Sequence, residues 1–433
     1  MTENCSPRLA AMRSLISCED GGRYSNLEIN AVLNRSSMSD ADRGLYTALV
    51  YGVIERTVTL DYIIDSLSSR PVSEIDKETL VALRLGIYQL CFMDKIPPHA
   101  AVNESVSLCP KKSRAFANAV LRAFLRAGMK YDLPDRTNLT EHLSVKYSMP
   151  RELTAFFLSK YDGDTAEEIM ASTLDRQKTT LRINTLKTTA DKVTASLAGS
   201  EKSELSDEII YAASAKDAIS GIDGGLYFVQ DEASFIASKV VSAMPGETVI
   251  DTCAAPGGKS FSLAMDMKNT GELYSFDLHR NKLSLIRSGA EKLGISIIKT
   301  DRRDARMPDA ALIGKADRVL CDAPCSGLGV ISKKPDVKYK SVESINALPE
   351  IQLAVLSGSA EYVKVGGTLV YSTCTLNPDE NEGVVRSFLR EHGDFVPVDF
   401  EFGFVKSKDG MALLLPHVTG TDGFFIAKMR RVK

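Results

Sequence analysis

The stretch ETVIDTCAAPGGKS, residues 247–260, decides the fold of the C-terminal half of the chain. Its β-branched run predicts a strand from Thr248 to Asp251, which a turn of small residues connects to a helix from about Lys259. Four further strands are predicted downstream, at ELYSFD (272–277), SIIKTD (296–301), DRVLCDAPC (317–325) and GGTLVYSTC (366–374). Strands that alternate with helical segments in this way are typical of a parallel sheet with helices on its faces.

Ligands of such sheets bind beyond the carboxyl ends of the strands, and each predicted strand ends there in a polar or reactive residue. The small residues of AAPGGK let the backbone approach a bound group closely, and Asp277 is placed to accept hydrogen bonds from ribose hydroxyls. Together they predict a nucleoside-bearing cofactor. Spacing excludes a P-loop nucleotidase, because Cys253 stands where that motif requires its first glycine and Pro256 removes an amide donor.

Two cysteines and a carboxylate follow the fourth and fifth predicted strands. Asp322 and Cys325 come after the fourth strand and Cys374 comes after the fifth, so all three are expected at one edge of the sheet. A single free cysteine is most often a small buried hydrophobe, but two thiols that converge beside a cofactor turn favour catalysis. A thiolate that adds to carbon 6 of a pyrimidine makes carbon 5 nucleophilic enough to attack an activated methyl group. The residues alone leave the two thiols interchangeable.

The first 130 or so residues show helical periodicity throughout. Within them, KKSRAFANAVLRAFLRAGMK contains a stripe of large apolar residues and six basic residues but no acidic one. The basic residues, Lys111, Lys112 and Arg114 among them, form either an ordinary solvated helix face or a phosphate-binding face. The sequence alone does not decide between the two.

Length and composition limit the domain organisation, the cellular location and the partners that we expect. A chain of 433 residues is longer than one hydrophobic core usually supports, so we expect more than one domain. We place an all-α domain at 1–132, a small α/β connecting subdomain at 133–225 and a Rossmann-like domain at 226–433. With no apolar signal or membrane-spanning segment, we expect a cytoplasmic protein without membrane contact. The eight scattered cysteines predict free thiols in a reducing compartment, without a disulfide framework or a metal site. Net charge is only −3, so nucleic-acid binding would depend on local basic patches.

Three motifs, DTCAAPGGKS, DAPCSGLGV and YSTCTLNPDENE, resemble the cofactor turn, the fourth-strand motif and the nucleophile motif of the RNA cytosine-5 methyltransferases. The N-terminal segments PPHAAVNESV and FANAVLR resemble the NusB-like antitermination fold, which precedes the catalytic part in family members that act on small-subunit ribosomal RNA. TTLRIN, LYFVQDEAS and LLPHVTGTDGFFIAKM resemble the connecting segment and the final strands of those members. The resemblance covers nearly the whole chain and implies an all-α NusB-like domain, a small α/β subdomain and a Rossmann-like methyltransferase domain.

This resemblance also implies roles for individual residues. Asp277 would hold the ribose of S-adenosylmethionine, Asp304 would lie near its adenine, and Asp322 would face both the cofactor and the reaction centre. Cys374 would be the nucleophile and Cys325 would promote product release. The turn that would enclose S-adenosylmethionine consists of Cys253, Ala254, Ala255, Pro256, Gly257, Gly258 and Lys259.

We therefore expect a monomeric, S-adenosylmethionine-dependent methyltransferase that acts on a cytosine of small-subunit ribosomal RNA, in a region where the base can leave its stack. The basic stretch KKPDVKYK, residues 333–340, is predicted to contact phosphates through Lys333, Lys334 and Lys338. The alternative is a non-catalytic, antitermination-like RNA-binding protein with a degenerate methyltransferase domain. The presence of both cysteines and of the strand-end acids speaks against it.

Overall fold

Two units divide the chain in the computed structural model, which describes residues 5–21, 24–175, 178–213 and 218–433. The first unit comprises Met1–Asp175 together with Ile331–Lys340, and the second comprises Arg176–Val330 together with Ser341–Lys433. The sequence patterns do not indicate that ten residues from within the C-terminal half belong to the first unit. The predicted division into three domains, with boundaries at residues 132 and 225, stays a prediction.

The first unit is helical, as predicted. Several of its helices begin at a side chain that accepts a hydrogen bond from a free backbone amide: Ser39 accepts from Asp42, and Asp76 accepts from Thr79. The helices of this unit are α1 Pro7–Gly21, α2 Ser25–Arg35, α3 Asp40–Leu67, α4 Lys77–Phe92, α5 Pro98–Leu108, α6 Arg114–Arg126, α7 Leu139–Tyr147, α8 Arg151–Lys160 and α9 Gly163–Ser172. Helices α1, α3 and α4 pack against one another around buried apolar side chains such as Leu49 and Leu83.

Helix α6 carries the predicted apolar stripe. Val120, Leu121 and Phe124 are buried. Phe116 is half-buried, and the guanidinium of Arg70 lies above its ring, 4.4 Å from the centroid. The basic side chains of this segment lie on the exposed face, as amphipathic spacing requires.

The segment from Ile331 to Lys340 is anchored in the helical unit, and its position corrects one prediction. Lys338 is 1% exposed, and its ammonium group donates to the backbone oxygens of Glu55 at 2.5 Å and Ser148 at 2.6 Å. The predicted phosphate contact by Lys338 is therefore wrong, because a buried ammonium group bonded to two carbonyls is not accessible to RNA. Asp336 accepts from both the amide and the hydroxyl of Ser25.

The second unit contains two sheets and a two-stranded ribbon. Its helices are α10 Ala190–Ser196, α11 Ile219–Asp223, α12 Glu232–Val241, α13 Gly258–Asp266, α14 Arg280–Leu293, α15 Val342–Asn346, α16 Leu348–Ala360, α17 Val384–Glu391 and α18 Pro416–Thr419. Its strands are β1 Thr179–Ile183, β2 Glu201–Lys202, β3 Ile209–Ala212, β4 Tyr227–Val229, β5 Thr248–Asp251, β6 Glu272–Asp277, β7 Ile298–Arg302, β8 Ala316–Asp322, β9 Val363–Thr373, β10 Phe395–Pro397, β11 Glu401–Phe402, β12 Val405–Lys406, β13 Met411–Leu414 and β14 Phe424–Arg431.

The larger sheet confirms the predicted Rossmann-like class. Its strand order is β10-β14-β9-β8-β5-β6-β7, with β13 paired to β14, and the five strands from β9 to β7 run parallel. The smaller sheet has the order β2-β3-β1-β4. All five predicted strands of the larger sheet are present, and β5 has the predicted bounds, Thr248–Asp251. The carboxyl ends of the parallel strands therefore lie at one edge, where the polar and reactive residues follow them.

No helix among the described residues is both long enough and apolar enough to cross a membrane.

Burial of Lys338 predicts a pH-dependent stability. Burial lowers the pKa of Lys338 from 10.5 to about 7, so between these values the unfolded chain holds a proton that the folded chain has released. Stability contributed by this group therefore rises as the pH increases from 7 towards 10.5. We expect the free energy of unfolding of the wild type, relative to Lys338→Met, to increase by roughly 1–3 kcal/mol between about pH 7 and 9.

Urea unfolding monitored by far-UV circular dichroism at each pH measures this difference. Lys77→Met is the matched control, because Lys77 lies in the same unit but is exposed and pairs with Asp20. A difference between wild type and Lys338→Met that does not change with pH would contradict the prediction.

Candidate active site

The turn after β5 forms one wall of the candidate site. The amide of Ala254 donates to the carbonyl of Phe276 at 2.7 Å, which places the turn beside the end of β6. The Ala255–Pro256 peptide bond is cis, and Gly257 has a φ of 117°. A Cβ atom at Gly257 would lie 2.5 Å from the ring of Phe261, so a side chain is excluded at this position both by conformation and by space.

A buried carboxyl group supports this turn from below. Asp251 is fully buried, and its Oδ2 accepts from the hydroxyl of Ser260 at 2.6 Å, which in turn accepts from Ser275 at 2.8 Å. Burial raises the pKa of Asp251 to about 7, although the bond from Ser260 favours the charged form. The end of β5 and the start of α13 are joined through these side chains.

Asp277 is the last residue of β6, as the sequence predicts, and Asp304 follows β7 by two residues. Asp277 is 8% exposed, and of the described residues only His279 donates a hydrogen bond to its carboxylate, through the amide at 2.8 Å. The carbonyl of Asp277 accepts from the amide of Arg303. Asp304 is the next residue in the chain, so this hydrogen bond holds it beside the end of β6. Arg306 contacts both oxygens of Asp304, and this hydrogen bonding lowers the pKa of Asp304.

Lys259 and Asp322 form an ion pair between the turn and the end of β8. Lys259 Nζ lies 2.8 Å from Asp322 Oδ2, and the hydroxyl of Ser372 on β9 donates to Oδ1 at 2.7 Å. Burial disfavours the charge on Lys259, but attraction to Asp322 and the hydrogen bond between them outweigh burial and raise the pKa of the ammonium group. Asp322 is thus held by two strands and a helix.

The two predicted cysteines meet. The Sγ atoms of Cys325 and Cys374 are 3.3 Å apart, and both thiols are half-buried. The hydrogen bond with Cys374, followed by burial, raises the pKa of Cys325 well above its usual value. The cysteine pair follows the ion pair closely in the chain, because Cys325 lies three residues after Asp322 and Cys374 lies two residues after Ser372, which donates to Asp322. A carboxylate, an ammonium group and two thiols therefore converge at one edge of the sheet.

Sequence reasoning missed the acid beneath the thiols. Glu380 is fully buried in a single π-helical turn, Asp379–Gly383, that follows Cys374. Its carboxyl group accepts from the amide of Ser326 and from the side chain of Gln352, both at 2.8 Å. The stretch NPDENE, residues 377–382, lies within the motif that resembles the nucleophile motif, and the sequence assigns no role to its acids. Its spacing alone carries no signal that one of its three acids points inward.

The predicted RNA-binding residues belong to the first unit and differ in accessibility. Lys111 and Lys112 are exposed in the 3₁₀ turn Lys111–Ser113 before α6. Arg114 is exposed, but its guanidinium donates to the carbonyls of Cys109 and Ser107, each at 3.1 Å. Exposure leaves the phosphate-contact predictions for these residues open. Lys333 and Lys334 are likewise exposed, in contrast to the buried Lys338 described above.

Among the residues that the structure describes, no group of three or more His, Cys, Asp or Glu side chains is arranged to hold a metal ion.

Comparisons with known proteins agree with this architecture. The profile of the family described as 16S rRNA methyltransferase RsmB/F matches residues 239–430, and that of the NusB family matches residues 6–126. The chain is 37% identical to the probable ribosomal RNA small subunit methyltransferase B of Bacillus subtilis, over 98% of this chain and 99% of that protein. It is 30% identical to the ribosomal RNA small subunit methyltransferase B of Pseudomonas putida, over 99% of both chains.

Solved structures show the same fold. The crystal structure of PH0851 aligns over 100% of both chains with a TM-score of 0.80 at 28% identity. The crystal structure of NSun6 from Pyrococcus horikoshii, determined with SFG, aligns over 66% of this chain and 98% of that chain, with a TM-score of 0.60 at 23% identity. The first alignment extends over both units, whereas the second covers two thirds of the chain.

Proposed function

The chain belongs to the RsmB/F family of ribosomal RNA small subunit methyltransferases, and on this premise we propose that it methylates carbon 5 of a cytosine in 16S ribosomal RNA. The methyl donor in this proposal is S-adenosylmethionine, and the reaction proceeds through a covalent bond between Cys374 and carbon 6 of the base. The observation that carries the proposal is the 3.3 Å separation of Cys325 and Cys374 beside the Lys259–Asp322 pair.

The residues of the second unit fit S-adenosylmethionine. Asp277 offers a carboxylate that only one backbone amide of the described residues occupies, as a ribose diol requires. The turn at Gly257 lacks a side chain where a bound group would approach the backbone. Next to it, Nε2 of the buried Gln230 has no hydrogen-bond partner, although its Oε1 accepts from Ser262 at 2.7 Å. A polar ligand at this turn would satisfy that donor.

Bound S-adenosylmethionine supplies an electrophilic methyl group. Asp277 would bind its ribose, Asp304 would lie near the adenine, and residues Cys253 to Lys259 would enclose it with Asp322 alongside. The ion pair with Lys259 and the hydrogen bond from Ser372 fix Asp322 in one orientation at the edge where the target base must enter.

The roles of the two thiols are proposed from the family resemblance, because the residues alone leave them equivalent. The two thiols are hydrogen-bonded to each other, and this bond, followed by burial, raises the pKa of Cys325. Cys374 is proposed as the nucleophile, and Cys325 is proposed to promote the later elimination, in which carbon 5 loses its proton and the bond between carbon 6 and the sulfur of Cys374 breaks.

Access to this edge requires a base outside its stack, so unpaired or locally melted RNA is the proposed substrate. Exposed basic side chains of the first unit, Lys111, Lys112, Arg114, Lys333 and Lys334, are proposed to bind the phosphates. Their contribution would be to affinity and not to chemistry.

Substitution of each cysteine tests the assignment of roles. We expect Cys374→Ala to bind RNA and cofactor but to form neither methylated product nor covalent adduct. Cys325→Ala should complete methyl transfer and stall before elimination, so that a protein–RNA complex survives denaturing electrophoresis. Tritiated methyl transfer to deproteinised ribosomal RNA, with the adduct resolved on the same gel, measures both outcomes.

Cys18→Ala is the matched control, because Cys18 lies in the helical unit and should retain full turnover. An adduct in Cys374→Ala together with its absence in Cys325→Ala would reverse the assignment. A wild type that transfers no methyl group to any ribosomal RNA would contradict the proposed function itself.

Loss of the ribose contact tests the cofactor site. A carboxylate that binds hydroxyl groups contributes roughly 1.5–3 kcal/mol, so Asp277→Ala should weaken S-adenosylmethionine binding by at least about tenfold. Isothermal titration calorimetry measures the dissociation constant, with Asp301→Ala as control, since Asp301 is an exposed acid on the neighbouring strand β7. An unchanged constant in folded Asp277→Ala would remove Asp277 from the site.

The basic face is tested by the salt dependence of RNA binding. Each lost phosphate contact reduces the slope of log affinity against log salt by roughly one, so Lys111→Gln with Lys112→Gln should flatten it by about two at most. Fluorescence anisotropy at several salt concentrations measures the slope, and Lys77→Gln, whose ammonium group pairs with Asp20, is the control. A slope equal to that of the wild type would mean that this face is solvated surface only.

A further inference from the structure

Glu380 is a buried carboxyl group that the proposed chemistry does not use. It is 0% exposed and lies six residues after Cys374 in the turn Asp379–Gly383. Among the described residues, the groups bonded to its two oxygens are hydrogen-bond donors. Oε2 accepts from the amide of Ser326 and from Nε2 of Gln352, both at 2.8 Å, and Oε1 accepts from Nδ2 of Asn377 at 3.1 Å.

These donors belong to the two loops that carry the thiols. Ser326 directly follows Cys325, and its hydroxyl lies 2.6 Å from that of Thr375, which directly follows Cys374. The hydroxyl of Thr375 also lies 3.5 Å from Oε1 of Glu380, at the limit of a hydrogen bond. One carboxyl group is therefore within reach of the residue that follows each catalytic cysteine.

Gln352 extends this connection to the other side of Cys325. Its Nε2 donates to Glu380 and also to the carbonyl of Pro324, at 3.0 Å. The backbone is thus held both before and after Cys325. The Cys374 loop is held in a similar way. The carbonyl of Cys374 accepts from the amide of Gly329 at 3.0 Å, and the hydroxyl of Tyr371 donates to the carbonyl of Glu380 at 2.7 Å.

We propose that Glu380 is a positioning residue that clamps the Cys325 loop to the Cys374 loop and so keeps the two thiols in contact. This inference rests on the proposed function, in which addition by Cys374 and elimination promoted by Cys325 act on one base in succession. A carboxyl group suits this place because both of its oxygens accept. The amide of a glutamine side chain at this position would place its NH₂ group against these donors and leave a buried donor unpaired.

The charge of Glu380 also acts on Cys325. After the hydrogen bond to Cys374 and burial, the negative charges of Glu380 and Asp322 contribute to the raised pKa of the Cys325 thiol. Removal of the Glu380 charge should therefore lower the pKa of Cys325. A residue that merely completed the packing would not produce this shift.

The first experiment measures the contact between the thiols without RNA or cofactor. In mixtures of oxidised and reduced glutathione, Cys325 and Cys374 form a disulfide while one oxidised glutathione is converted to two reduced ones. Peptide mapping by mass spectrometry gives the equilibrium constant, which is the effective concentration of one thiol at the other. We expect this constant to fall by at least about tenfold in Glu380→Gln.

The matched control is Glu382→Gln, which changes an acid of the same turn. The structure gives the Glu382 side chain no hydrogen bond to either cysteine loop, and Arg386 is the charged group that acts on it. An unchanged disulfide equilibrium in folded Glu380→Gln, or an equal fall in Glu382→Gln, would overturn the proposal.

The second experiment measures catalysis. With the thiols displaced, Glu380→Gln should lower kcat by at least about tenfold, while KM for RNA and the dissociation constant for S-adenosylmethionine stay near their wild-type values. The pH profile of adduct resolution should shift to lower pH, because the pKa of Cys325 falls. A change in KM alone, or a pH profile equal to that of the wild type, would contradict a positioning role.

A second variant keeps the proposal testable where Glu380→Gln does not fold. Gln352→Met removes the donor shared by Glu380 and Pro324 without changing the carboxyl group, and Oε1 of Gln352 has no partner to lose. It should reduce the disulfide equilibrium constant in the same direction. The glutathione measurement requires no methyl transfer, so it tests the clamp alone. The proposed reaction is tested separately, by methyl transfer in the wild type.

Discussion

The parallel pairing of β8 with β9 is the constraint on which the active site depends. In this register Asp322 lies opposite Ser372, so the residues that leave the sheet after them start from neighbouring positions. Cys325 follows Asp322 by three residues and Cys374 follows Ser372 by two, which brings the thiols to 3.3 Å. A shift of one residue in this pairing would turn side chains to the opposite face and separate the thiols. Strand pairing thus determines which residues can meet at the reaction centre.

The parts of the site that sequence could predict are those coded by local pattern. β5 and its turn follow from a β-branched run and a set of small residues, and strand ends identify Asp277, Asp322 and Cys374 because parallel strands all end at one edge. Glu380 could not be predicted, since its partners Ser326 and Gln352 are 54 and 28 residues away in the chain. Only the folded sheet brings these residues together.

For Lys338, in contrast, the sequence predicts a contact with RNA that the structure does not permit. Four lysines within eight residues are typical of a solvated or phosphate-binding loop, and two of them, Lys333 and Lys334, are exposed, whereas Lys340 is half-buried. The fourth is buried because carbonyls of Glu55 and Ser148, nearly 300 and 200 residues earlier, accept from it. Composition describes an average environment, whereas burial of one ammonium group depends on acceptors that are distant in sequence.

The Cys325 loop is held at both of its ends, and this bears on how the site is organised. Glu380 accepts from the amide of Ser326, and Gln352 donates to the carbonyl of Pro324, so the backbone is held directly after and directly before Cys325. These contacts leave Cys325 little freedom to move away from Cys374. The entropy of ordering the loop is then lost on folding and not on substrate binding, as preorganised sites require. In the proposed reaction Cys325 acts second, on a base that is already bonded to Cys374. Its thiol must therefore lie close to the base when the covalent intermediate forms, and a fixed loop keeps it there.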